Sequence, residues 1–121
     1  MFRMGIIEES LEDSRVLKKL EEYLVLQRVE NVPGDEYPIW HINEYHIPEQ
    51  NIWEVLDMFK DQIGKTWYIH AFNDKTLLVV LWGRWFEIAL ERDESWDDMI
   101  AYGVKVAEVE RRYLESVPLH V

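Results

Sequence analysis

From Thr66 to Arg92 the chain runs through aromatic and β-branched residues broken only by turn formers, and this stretch restricts the possible folds more than any other. Asn73-Asp74-Lys75 and Gly83-Arg84 interrupt it, so it reads as three consecutive antiparallel strands. Gly83-Arg84 suits a two-residue type II′ turn, because glycine at the first central position takes φ > 0 and lets the flanking strands twist correctly. The register that follows sets Trp82 opposite Trp85, Leu81 opposite Phe86 and Val79 opposite Ile88. One face then carries Leu77, Val79, Leu81, Phe86, Ile88 and Leu90, the expected core face beneath the helices. The other carries Leu78, Val80, Trp82, Trp85, Glu87 and Ala89, too apolar to stand in water, and so reads as a protein contact, a ligand groove or a surface closed by the chain itself.

The remaining segments supply strands and cover for this sheet. Gly5-Ile6-Ile7 is apolar enough for a short strand, and Ser10 or Ser14 offers a cap for a helix carrying Val16, Leu17, Leu20 and Leu24 on one face. Tyr23 to Asn31 and Ile39 to Ile47 form a hairpin across the Pro33-Gly34 turn. In its second strand Trp40, Ile42, Glu44 and His46 face one way and His41, Asn43 and Tyr45 the other. Pro48 and Gly64 bracket a helix whose Ile52, Val55, Leu56, Phe59 and Ile63 make one apolar stripe. Ser95 opens a last helix with Trp96, Met99, Ile100 and Val104 inward and Gly103 at its end, and a further turn of helix spans Ala107 to Glu115. The predicted fold is a single α+β domain over residues 1–121: an antiparallel sheet of four or five strands with helices packed mainly on one face.

Length and charge narrow the functions. A chain of 121 residues buries a core without crosslinks, and the absence of cysteine removes disulfides, thiolate zinc sites and cysteine nucleophiles together. The formal charge of −11, from 24 acidic against 13 basic residues, repels phosphate backbones and anionic headgroups, so neither nucleic acid nor membrane is an expected partner. Leu77 to Trp82, the longest apolar run, falls far short of the roughly 20 residues that cross a bilayer, and a cytoplasmic location is the expectation.

Signatures of known chemistry are missing. His41 and His46 leave one strand by opposite faces, no His-Glu-x-x-His helix occurs, and no metal site or cofactor is expected. No serine lies in Gly-x-Ser-x-Gly, and Gly64-Lys65-Thr66 precedes a strand instead of opening a phosphate-binding helix. One constellation remains: Tyr68 and His70 with Trp82, Trp85 and Glu87, where an imidazole and a carboxylate on an aromatic floor could exchange protons or hold a planar ligand. It depends on a register. With Asn73-Asp74-Lys75 as a three-residue loop His70 opposes Leu78 on the tryptophan face, whereas an Asn73-Asp74 type I′ turn sets it opposite Leu77 on the core face. The first is adopted because it keeps Trp67 and Ile69 inside.

Trp67, Tyr68 and His70, followed by the apolar hairpin and by Trp96, Tyr102 and Gly103, resemble a group of small uncharacterised prokaryotic proteins. In these a Trp-Tyr-x-His strand precedes a hairpin and a helix, a resemblance that implies one compact domain and carries no catalytic residues over to this chain. The function expected is that of a small acidic binding or interaction protein, non-enzymatic, forming a homodimer through its aromatic sheet face or engaging another protein. The rivals are a small enzyme or ligand-binding protein using Tyr68, His70 and Glu87, and an acidic inhibitor of a basic partner.

Overall fold

The computed structural model describes residues 1–121 and contains one sheet in the spatial order β2-β3-β1-β4-β5-β6. Its strands are β1 (Phe2–Ile7), β2 (Leu24–Asn31), β3 (Ile39–Ile47), β4 (Ile69–Phe72), β5 (Leu77–Leu81) and β6 (Arg84–Ile88), every neighbouring pair antiparallel. The helices are α1 (Glu49–Phe59), α2 (Asp97–Lys105) and α3 (Arg111–Leu114). A 3₁₀ stretch from Ser14 to Tyr23, capped by the Asp13 side chain on Arg15 N–H, replaces the α-helix expected there, and no helix is long and apolar enough to cross a membrane. The fold is α+β, with six strands where four or five were expected, because Phe2–Ile7 forms a full strand that pairs with β3 along its whole length and with β4 from Arg3 to Gly5.

Helical segments cover both faces of the sheet instead of mainly one. On the first face the α1 stripe of Ile52, Val55, Leu56 and Phe59 joins Leu17 and Leu20 of the 3₁₀ stretch over Met4, Ile6, Tyr45, Ile47, Ile69, Leu78 and Val80. On the second face Trp96, Met99, Ile100 and Leu114 pack on Phe72, Leu77, Val79, Leu81, Phe86 and Ile88. The Leu77 face is therefore a core face as expected, but α2 and α3 cover it, while the helix after Pro48 lies on the opposite, tryptophan-bearing face. Gly103 sits inside α2, where a Cβ would collide with the Leu114 side chain, so it lets α2 and α3 approach and does not end the helix.

Two turns differ from expectation. Leu81 pairs with Arg84 and Val79 with Phe86, so Trp82-Gly83 forms the loop, with Gly83 at φ +88° in its second central position. Tertiary bonds select this turn: Gly83 N–H donates to the Lys60 carbonyl at 2.9 Å and the Tyr102 hydroxyl to the Trp82 carbonyl at 2.7 Å. The slip is by two residues, an even number, so every β6 side chain keeps its face. Between β4 and β5 the loop spans Asn73 to Thr76, because the Asn73 side chain accepts from the N–H groups of Lys75 and Thr76 at 2.8 and 2.9 Å. His70 thus opposes Val79, and Tyr68 and His70 stand on the second face, away from Trp85 and Glu87.

Candidate functional site

The five residues singled out from the sequence do not meet. Trp82 lies in the hairpin turn, with the Lys65 ammonium 4.7 Å above its ring. Trp85 lies under α1, its indole N–H donating to Asp57 at 2.8 Å and its ring 5.7 Å from Trp53. Glu87 is exposed on that same face of the edge strand β6. The aromatic face expected to join two copies is thus covered within the chain by α1. Only Tyr68 and His70 of the set remain together, with ring centres 6.1 Å apart on the second face.

That second face contains the site. Cover by α2, α3 and the C-terminal segment extends over β4, β5 and β6 and reaches β1 at Gly5, while β2 at the edge of the sheet stays exposed. The boundary is sharp because Gly5 has no side chain. A Cβ there would meet Val121 Cγ1 at 3.0 Å and His70 Cε1 at 3.2 Å, so glycine admits both groups onto β1. The step between covered and open sheet forms a groove of about 470 Å³, floored by Gly5, Ile7 and Ile42 and walled by Tyr37, Trp40, Trp67, Tyr68 and Tyr113. Its size lies within the range usual for small-molecule sites.

The aromatic wall comes from distant parts of the chain. Trp40 on β3 sits 5.3 Å from Trp67, which precedes β4, in a T-shaped contact, and Tyr37 from the hairpin loop packs 5.9 Å from Trp67. The Trp40 indole N–H is buried with no acceptor, an unmet donor that costs about 1–3 kcal/mol. Carboxylates of Glu30, Asp35, Glu36, Glu108 and Glu110 line the groove against Arg28 among the fixed cations. Three are tied: Glu30 to Arg28 at 3.6 Å, Glu108 to Lys65 at 3.3 Å and Glu110 to Arg112 at 2.8 Å. Even counting those three cations, five carboxylates leave the rim negative.

His70 closes the inner end. Its Nε2 lies 2.8 Å from the His120 carbonyl, which can only accept, so Nε2 carries the proton. Burial holds the His70 pKa below its ordinary value, with the carbonyl opposing that shift, and burial likewise raises the Tyr68 phenol. Backbone strain marks the rim. Thr66 and Glu108, neither a glycine, take φ of +75° and +60°, and Thr66 N–H donates to the Ala107 carbonyl at 2.8 Å. A β-branched residue at positive φ is unusual, and such strain gathers where surrounding structure fixes a functional geometry.

The other histidines lie elsewhere. His41 Nδ1 meets Glu9 at 2.6 Å on the first face, and His46 joins Arg3 on Glu44 on the second, so the two leave β3 by opposite faces as their odd spacing requires. The groove was not visible in the sequence. Trp40, Tyr37 and Tyr113 carried no local pattern to mark them, and the one available signal was Gly5, a glycine within a strand, which marks a close approach of another group. No protein-family model matches the chain, and neither the curated proteins nor the solved structures compared with it yielded a match.

Proposed function

We propose that this chain is a small acidic binding protein whose groove takes a compact organic cation with an apolar or aromatic body. The observation that carries the reading is the meeting of Tyr37, Trp40 and Trp67 under a rim of carboxylates. Aromatic faces attract cations through their ring quadrupole, by about 0.5–2 kcal/mol each depending on desolvation, and the rim adds attraction of the same sign. The overall charge of −11 acts in the same direction at longer range.

Binding is favoured over acid–base catalysis because the pair envisaged for it is divided. His70 commits its Nε2–H to the His120 carbonyl, while Glu87 stands on the opposite face of the sheet. Titration with benzyltrimethylammonium, and with benzoate as the matched anion, tests the proposal through tryptophan fluorescence and indole N–H resonances. The cation should shift the Trp40 and Trp67 signals, weaken with added salt and lose its effect in Trp67→Ala. Benzoate binding as tightly as the cation, or cation shifts confined to Trp53 and Trp82, would overturn it.

A further inference from the structure

Strand β2 ends the sheet, and from Val25 to Asn31 every residue is exposed, including Val25, Leu26 and Val29 at 54%, 55% and 59%. Proteins protect such edges with proline, lysine, bulges or brevity. Here the strand runs eight residues with no proline or lysine, and its one bulge, at Val25, lies near its start. The opposite edge, β6, is five residues long, and its exit is tied down by Ala89 N–H donating to Ser95.

Which backbone groups are free follows from one bond. Val32 N–H donates to the Pro38 carbonyl at 2.7 Å, so this pair is hydrogen-bonded, and alternation makes Glu30–Trp40 and Arg28–Ile42 hydrogen-bonded as well. Gln27, Val29 and Asn31 therefore turn their N–H and C=O groups away from β3 toward solvent.

We propose that two copies of this chain pair antiparallel along β2, about a two-fold axis at Val29. A two-fold perpendicular to the sheet keeps each face on its own side, so the axis must pass through a residue and not between two. Centred on Arg28 it would oppose like guanidinium groups, and centred on Glu30 like carboxylates, both destabilising. Centred on Gln27 it would run the partner strand into the Val25 bulge. At Val29, Arg28 faces Glu30 of the second copy and Glu30 faces its Arg28, while Gln27 faces Asn31. The outward groups of Gln27, Val29 and Asn31 then complete the ladder. Each Arg–Glu pair falls at a non-hydrogen-bonded position, where opposing side chains lie closest. The strand is complementary to itself, which singles out a second copy as its partner. This inference does not depend on what the groove binds.

The test is sedimentation equilibrium and light scattering across a dilution series at physiological ionic strength, with the intact chain. A dimer is expected. Arg28→Glu should weaken it about tenfold or more, because two attractive pairs become repulsive, and adding Glu30→Arg should restore it by reversing both charges. Val29→Pro should give a folded monomer, since the N–H it removes points away from β3. If that variant does not fold, amide exchange in the native protein decides: Val29 N–H protected in a concentration-dependent way supports the dimer. A monomer at every concentration, a dimer indifferent to Arg28→Glu, or a Val29 amide exchanging as freely as in an open strand would each overturn it.

Discussion

Strands β5 and β2 belong to one sheet and have opposite fates. All five residues of β5 are buried, because α1 covers one side of it and α2 and α3 the other. In β2 only Leu24 is even partly buried. The difference starts in composition: Leu-Leu-Val-Val-Leu suits a strand covered twice, whereas Gln27, Arg28, Glu30 and Asn31 need water or polar partners. Where cover is complete, packing occupies both faces and leaves no vacancy for a ligand. Chemically versatile groups collect where the second cover stops, along the line of Gly5, His70 and Val121.

The sharpest contrast should come from truncating one aromatic in each region. Phe59→Ala empties a fully buried site under α1 and should cost about 3–5 kcal/mol, while Tyr37→Ala in the groove wall, 42% exposed, should cost under about 1 kcal/mol. Chemical denaturation measures both, and equal losses would dissolve the distinction. Gly103→Ala comes next, at about 1–3 kcal/mol, because a Cβ there forces the buried Leu114 side chain aside and Leu81 Cδ1 stands 3.4 Å away.

A smaller contrast separates two indoles. Trp96 donates its N–H to the Ala89 carbonyl at 2.9 Å, so Trp96→Phe strands an acceptor and loses volume, for about 1–2 kcal/mol. Trp40→Phe removes a donor that has no partner, so its volume loss is offset and stability should stay within about 1 kcal/mol of the parent. If Trp40→Phe is the more damaging of the two, the Trp40 N–H has an acceptor in solution.

Protonation gives the least effect and the most directional one. Glu9, through its hydrogen bond to the ring, raises the His41 pKa, so that pair stabilises fully below the unfolded value near about 6.5 and is lost as pH rises through the higher folded value. Burial lowers the His70 pKa, so His70 stabilises above the unfolded value and its contribution is lost as pH falls toward the lower folded one. Denaturation midpoints between about pH 5 and 8 should show His41→Gln losing stability chiefly at the acid end and His70→Gln flattening the acid decline. Matching profiles for the two variants would contradict this.

Legibility followed the same division. The faces of β5 and β6 could be read from alternation alone, and they survived a wrong turn because the error in register was even. The face of Tyr68 and His70 could not, since it turned on whether the loop after Phe72 held an odd or an even number of residues, and it holds four, neither the three nor the two that the turn chemistry offered. Asn73, whose side chain bridges to Lys75 and Thr76 N–H, decided the matter, and asparagine is a residue known for making such turns. The tryptophan-bearing hairpin tip was beyond local reasoning, because Lys60 and Tyr102 select its turn from elsewhere in the chain. The groove was further still from view, assembled from β1, β3, the hairpin loop and the C-terminal segment, whose only common property is where the fold brings them.

The place of β1 at the centre of the sheet bears on how quickly the chain can find this structure. Gly5 pairs with Glu44 on one side and His70 on the other, about forty and sixty-five residues further along. Neither half of the sheet can zip into the other until this strand is captured between them, and capture means closing two long loops before any ladder rewards them. Refolding should therefore be slow for a chain of this size, on the order of milliseconds to seconds, with substitutions at Met4 or Ile6 retarding it and those in β2 acting mainly on the rate of unfolding.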